Sequence, residues 1–282
     1  MSRPAPDSTL TTYTASDGDN LAVQDWPLAE EEVPRALVLV VHGLGEHAGR
    51  YDGFARRLNG WGYAVRSYDQ YGHGDSGGAR GALPQANRLV DDLGDIVEST
   101  RARHPGVPLV LLGHSMGGVV AATFAARALL PLDGLVLSSP ALATRLSAVQ
   151  KLLMAVVPRI APNLTVPNGL DAQYLSHDPA VVDAYRRDPR VHDRVSGRLA
   201  RFIADEGERV RAHARQWSLP TLLLYAGDDR LVDPQGSAMF AEDAPREVVT
   251  TRCYPQLWHE IFNEREADPV YATLRQWLDA RF

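Results

Sequence analysis

The chain has one cysteine and one lysine in 282 residues. Cys253 on its own can close no internal disulfide and complete no cysteine-based zinc site. It follows the strand-like run Glu247–Arg252 and reads as a half-buried strand thiol, the common state of a free cysteine. Lys151 stands alone and the arginines form no run. With a formal net charge of −6, the chain lacks the basic stripe that a nucleic-acid binder presents. No stretch approaches the roughly 18 apolar residues of a membrane span. Met1–Leu10 has neither the basic n-region nor the apolar h-region of a signal peptide, so the expected location is the cytoplasm. His42, His47, His73 and His114 do not fall in an H-E-x-x-H spacing, and no G-x-x-x-x-G-K-[ST] loop occurs. Gly72–Gly77 is glycine-rich but reads as a tight loop between a strand and a helix. Neither a metal nor a cofactor is expected.

What is present is ordinary for a globular protein, at 45% hydrophobic and 23% charged, and the length suffices for one large core with a lid. Residues 8–27 read as two strands around the turn Ser16–Asn20. Ala36–Val41 is a continuous apolar run, the pattern of a strand buried on both faces of a parallel sheet. It recurs at Tyr63–Tyr68, Pro108–Leu112, Gly134–Leu137, Thr221–Tyr225 and Glu247–Tyr254. Helical stretches lie at Tyr51–Trp61, Asn87–Arg103, Met116–Leu130 and Asp268–Phe282; in the second, Leu89, Val90, Leu93, Ile96 and Val97 share one face. This alternation predicts an α/β fold, a mostly parallel central sheet with helices on both faces. Residues 141–216 break the rhythm: they mix polar and apolar residues at helical spacing, carry five prolines and show no buried-strand run. We read them as a helical cap inserted into a core formed by 1–140 and 217–282.

Gly113-His-Ser-Met-Gly117 is a G-x-S-x-G pattern that follows one predicted strand and opens one predicted helix. That context makes Ser115 a nucleophile on a sharp turn, with the flanking glycines providing room. A serine hydroxyl needs a base. In this fold class the partners follow in the order Ser, Asp or Glu, His, which leaves His177, His192, His213 and His259. The first three lie among charged residues of the cap and read as surface groups; His259 sits between the last strand and the last helix, where the base is needed. The acid should follow Thr221–Tyr225, and Asp228, Asp229 and Asp233 all qualify by spacing. Two backbone N–H donors are required for an oxyanion: Met116, directly after the nucleophile, and Leu44, in the loop after Ala36–Val41. His42 reads as a packing histidine beneath that loop.

Three segments, Val41-His-Gly-Leu-Gly-Glu-His-Ala-Gly-Arg-Tyr51, Asp69-Gln-Tyr-Gly-His-Gly-Asp-Ser76 and Gly113-His-Ser-Met-Gly-Gly118, together resemble the monoacylglycerol lipase family of serine hydrolases, whose members are also described as lysophospholipases. Ala161–Thr165, Asp229-Arg-Leu-Val-Asp233 and the His259-Glu260 pair extend the resemblance over nearly the whole chain. It implies the α/β-hydrolase fold and hydrolysis of single-chain acyl glycerols without a cofactor. It implies Asp229 as the acid, Leu44 and Met116 as the oxyanion hole, and Glu46 and Arg50 near the alcohol end of the pocket. The implied partner is a lipid-like ester; Leu146–Val157 of the cap, mostly apolar but too short to span a bilayer, would give peripheral membrane contact. Other chemistries on the same fold are a carboxylesterase, a thioesterase, a lysophospholipase or a proline-type peptidase; a non-catalytic binding protein is the alternative from another class.

Overall fold

The computed structural model describes residues 7–29, 32–144, 161 and 164–282. Leu146–Val157, the segment expected to face lipid, lies outside them. The strands are β1 (Thr9–Thr14), β2 (Asn20–Trp26), β3 (Leu37–Val41), β4 (Ala64–Tyr68), β5 (Leu109–His114), β6 (Gly134–Ser138), the short pair β7 (Thr165–Pro167) and β8 (Arg194–Ser196), then β9 (Thr221–Ala226) and β10 (Val249–Tyr254). Helices are α1 (Asp52–Asn59), α2 (Arg88–Arg103), α3 (Met116–Ala126), α4 (Pro179–Arg187), α5 (Gly197–His213), α6 (Pro234–Asp243) and α7 (Asp268–Asp279). The main sheet has eight strands in the order β1-β2-β4-β3-β5-β6-β9-β10. β1 and β2 pair antiparallel, β2 meets β4 antiparallel, and every other pairing is parallel.

Strand alternation builds two cores, one on each face. Leu37, Leu39 and Val41 join α2, α3, α5 and α6 through Leu93, Val119, Phe202 and Phe240. Val38 and Val40 point the other way, to Phe54 and Leu58 of α1 and Leu274 and Trp277 of α7. Burial on both sides is why β3 reads as an unbroken apolar run rather than an alternating one.

The structure differs from expectation in three places. Residues 197–213, read as part of the cap, form α5, which packs on α3 and α6 within the helical layer of the sheet. The cap is not purely helical: β7 and β8 pair antiparallel in it. Three residues per strand are too few to show a period of two. Helix α6 went unread, although Asp233 accepts from the Gln235 N–H as its N-cap and Pro234 is its first residue, the usual opening of a helix.

The strand-to-helix turn at Ser115 depends on two glycines. A Cβ on Gly113 would lie 2.5 Å from the Gly117 carbonyl oxygen, and one on Gly117 would lie 2.1 Å from that of Val41. Gly117→Ala should therefore push α3 off β3 and destabilise the fold by about 1–3 kcal/mol, the usual cost of overpacking. Gly94, inside α2, is the internal control: an added Cβ meets only Phe124 Cε2, at 3.7 Å. Gly94→Ala should stabilise by about 0.5–1 kcal/mol through a stiffer unfolded chain. Chemical denaturation of both variants checks the pair; equal effects would mean that the turn is not sterically constrained.

Candidate active site

Ser115 has φ 54° and ψ −119°, a strained conformation for a residue with a side chain, which costs about 1–3 kcal/mol and persists only where the surroundings enforce it. Here the Ser115 N–H donates to the Ser138 carbonyl at 3.0 Å, and the Ser115 carbonyl accepts from the Ala141 N–H at 3.0 Å. The end of β6 and the segment just after it thus grip both sides of the turn. Met116 follows as the first residue of α3, where backbone N–H groups have no partner inside the helix and the helix dipole favours negative charge.

His259 lies in the loop after β10 and Asp229 in the loop after β9. Both are buried, and His259 Nδ1 donates to Asp229 Oδ2 at 2.7 Å. Asp229 Oδ1 accepts from the N–H groups of Leu231 and Val232, which fixes the carboxylate. Burial pushes the imidazole pKa down, but the Asp229 carboxylate outweighs it and holds the His259 pKa above the ordinary histidine value. Burial likewise pushes Asp229 up, and the His259 charge with three hydrogen bonds brings it below the ordinary aspartate value. The other two acids left open by spacing are elsewhere. Asp228 is exposed and bonds Arg230 and the Trp258 indole; Asp233 caps α6.

Ser115, His259 and Leu44 line one cavity of about 520 Å³, together with Glu46, Arg50, His114, Tyr185 and Glu260. Ser115 and Leu44 also line a second space of about 380 Å³, with Met116, Ile203, Tyr174, Ala200 and Val232. The two are lobes that meet at the serine, one charged and one mostly apolar. The Gly43 N–H is taken by Glu46 Oε1, at 2.6 Å, and Leu44, the next residue in the loop, lines both lobes beside Ser115.

Glu46 and Arg50 are largely enclosed, with side chains 5% and 11% exposed. Arg50 bonds Glu46 Oε2 at 2.5 Å and grips Glu260 with two hydrogen bonds, at 2.7 and 2.9 Å. Tyr51 donates to Glu46 Oε1 and Asn263 to Glu260 Oε2. Burial raises the Glu46 carboxyl, but Arg50 and the neighbouring donors bring it to about 2; Glu260 is lowered too, against burial, mainly by Arg50. Glu260 and His114 are site residues that sequence reasoning did not assign. Their signal was local: each adjoins a predicted catalytic residue. The His114 ring lies 4.7 Å from that of His259. Burial and the His259 charge hold its pKa at about 4, so it stays neutral beside His259.

His42 is buried under the loop of Leu44: its Nε2 accepts from the Gln70 N–H, and its Nδ1 donates to the Gly43 carbonyl. His192, read as a surface group, is half-buried and its N–H donates to the Gly45 carbonyl at 2.9 Å. His47 Nε2 reaches Asp188 of the cap at 2.8 Å.

A family profile described as "Serine aminopeptidase, S33" matches residues 32–266. The chain is 36% identical to a monoacylglycerol lipase of Mycolicibacterium smegmatis, over 87% of this chain and 88% of that one. It is 33% identical to a monoglyceride lipase of Homo sapiens, over 98% and 92%. Among solved structures, the monoacylglycerol lipase of Paleococcus ferrophilus superposes with a TM-score of 0.82 at 32% identity, covering 98% of this chain and all (100%) of that one. These matches span most of the chain: it belongs to the monoacylglycerol lipase family of serine hydrolases, with the α/β-hydrolase fold.

Proposed function

We propose that this chain hydrolyses monoacylglycerols, or similar single-chain acyl esters, through an acyl-enzyme on Ser115. The observation that carries this reading is the two-lobed space around Ser115. An apolar lobe bordered by Met116, Ala200, Ile203 and Val232 suits an acyl chain; a lobe bordered by Glu46, Arg50 and Glu260 suits a hydroxylated leaving group. In this reading His259 Nε2 takes the Ser115 proton as Oγ attacks the ester carbonyl. The N–H groups of Leu44 and Met116 hold the oxyanion. Collapse of the tetrahedral intermediate breaks the bond to glycerol, whose oxygen takes the proton from His259. Water then attacks the acyl-enzyme, giving its proton to the same imidazole, and the fatty acid leaves. Asp229 holds the ring in the productive tautomer and stabilises its charged form. The chain's own residues supply every step.

A panel of monoacylglycerols, lysophospholipids, acyl thioesters, short p-nitrophenyl esters and proline amides tests the substrate class. Monoacylglycerols should give the highest kcat/KM. A preference for proline amides would move the chain towards the peptidases that the family profile names.

Ser115→Ala and His259→Ala should each lower kcat by about 10⁴–10⁶ with the fold intact, and Asp229→Asn by about 10⁴. Asp228→Asn should cost less than about tenfold, since that side chain is exposed. If Asp228→Asn is the more damaging change, the acid is misassigned.

The base works only as neutral imidazole. kcat/KM should therefore rise with pH through an acid limb centred above about 6.5, the unperturbed histidine value, because Asp229 stabilises the protonated ring. Removing that charge in Asp229→Asn leaves burial opposed only by the lesser effects of Glu260 and Glu46, so the limb of the residual activity should move down. A limb that moves up, or a parent rate that falls between pH 6 and 8, contradicts a neutral His259 base.

Ala200→Phe fills the apolar lobe without touching Ser115, Asp229 or His259. It should cost long acyl chains at least tenfold more in kcat/KM than acetyl or butyryl esters. Equal losses across the series would place the acyl chain elsewhere.

Peripheral contact of the cap with lipid is part of the proposal. Leu164 and Val166, exposed by 55% and 47%, lie on the cap within the same short stretch of chain as exposed Leu170, which lines the apolar lobe; exposed apolar patches mark interaction sites. Leu164→Asp with Val166→Asp should weaken co-sedimentation with phosphatidylcholine vesicles and leave short-ester kinetics unchanged. Unchanged sedimentation would sink the idea.

A further inference from the structure

We propose that Glu264 is a positioning residue which ties the cap to the loop carrying His259, so that cap placement and base placement form one unit. The inference rests on His259 being the base. Glu264 lines neither lobe around Ser115, and its carboxyl group is buried, with 1% of the side chain exposed. It is the acceptor for two separate segments. From the base loop, the Trp258 N–H, immediately before His259, donates to Oε1 at 2.7 Å. From the cap, His177 donates its N–H to Oε2 at 2.9 Å and its Nδ1–H to Oε1 at 2.8 Å; the Ser176 hydroxyl lies 3.3 Å from Oε2.

The contacts around this carboxyl group point the same way. The His177 ring stacks on the Trp258 indole, with centroids 3.8 Å apart and planes 26° from parallel. Tyr174 packs edge-on against the indole, with ring centroids 5.5 Å apart. The Glu260 N–H, immediately after His259, donates to the Leu175 carbonyl at 2.8 Å, and the Ser176 hydroxyl donates to the Asn263 carbonyl at 2.9 Å. The residues on both sides of His259 are therefore bonded, directly or through Glu264, to residues 174–177 of the cap. The Trp258 indole N–H also reaches Asp228, the neighbour of the acid, at 3.1 Å. One cluster thus holds together the cap, the base loop and the acid loop.

Such an arrangement matters because a catalytic imidazole tolerates little displacement: a 1 Å error introduced from outside the site can cost about 10²-fold. A buried carboxyl group that accepts several donors in a low-dielectric setting is a stiff anchor, since each donor left without it would be buried and unsatisfied. Leu175 itself lines the charged lobe, so occupancy of that lobe bears on the same segment that positions the base.

The test uses the full chain, a short soluble ester and matched concentrations of folded protein. Glu264→Ala should lower kcat by about 10–100-fold with KM changed by less than about threefold, and should shift the acid limb of the pH profile down, as the His259–Asp229 contact loosens. His177→Ala, at an exposed position that cannot unfold the core, should lower kcat several-fold in the same direction. The double variant should be no worse than Glu264→Ala, because one contact is being removed twice. If Glu264→Ala does not accumulate as folded protein, His177→Ala carries the test on the same readouts. Retention of parental kcat and limb position by the folded variants would overturn the proposal, even with a lowered Tm. His259→Ala, run alongside, separates the two readings: its retention of activity would remove the base itself, whatever Glu264 does.

Discussion

Everything in this site hangs on a backbone conformation that Ser115 adopts only under compulsion. The turn is held from three directions at once. β3 presses on Gly117, α3 continues directly from the serine, and Ser138 at the end of β6 and Ala141 beyond it bond its N–H and its carbonyl. The strain that results aims a hydroxyl out of the sheet and leaves the first amide of α3 free beside it. A parallel sheet packed on both faces can enforce such a turn, because neither β3 nor α3 has room to yield. The two cores that flank the sheet are therefore part of the catalytic apparatus as much as of the fold.

The second organising feature is the placement of charge. One carboxylate, Asp229, is set against His259 and raises its pKa. Two more, Glu46 and Glu260, share Arg50 in a buried cluster that lines the charged lobe. Arg50 therefore keeps two negative groups ionised where burial would neutralise them. The same cluster secures the loop of Leu44, since Glu46 occupies the Gly43 amide. The cap adds grips on two of these loops: His192 and Asp188 on the side of Leu44, Leu175 and His177 on the side of His259.

Much of this was legible beforehand, for identifiable reasons. The buried strands announced themselves as apolar runs, and Ser115 by its position between one such run and a small-residue helix. His259 followed from chain order. Spacing could not separate Asp228 from Asp229, because adjacent residues in a loop point in directions that only the backbone decides. Helix α5 shows the limit of periodicity: its apolar stripe indicates that one face is buried, not whether a cap or α3 buries it. Glu260, His114 and Glu264 were invisible as a network because their partners lie in distant segments, such as Arg50 with Glu260, and buried charge runs against the pattern by which cores are read.

The most direct measurement of the central claim is rapid-quench intact-mass and peptide mapping during turnover of a 1-monoacylglycerol. The account predicts a transient acyl adduct on the peptide carrying Ser115, formed at a rate at least equal to kcat and lost by hydrolysis as free fatty acid appears. Turnover with an adduct on any other residue, or with free fatty acid appearing while Ser115 is never acylated, would contradict it.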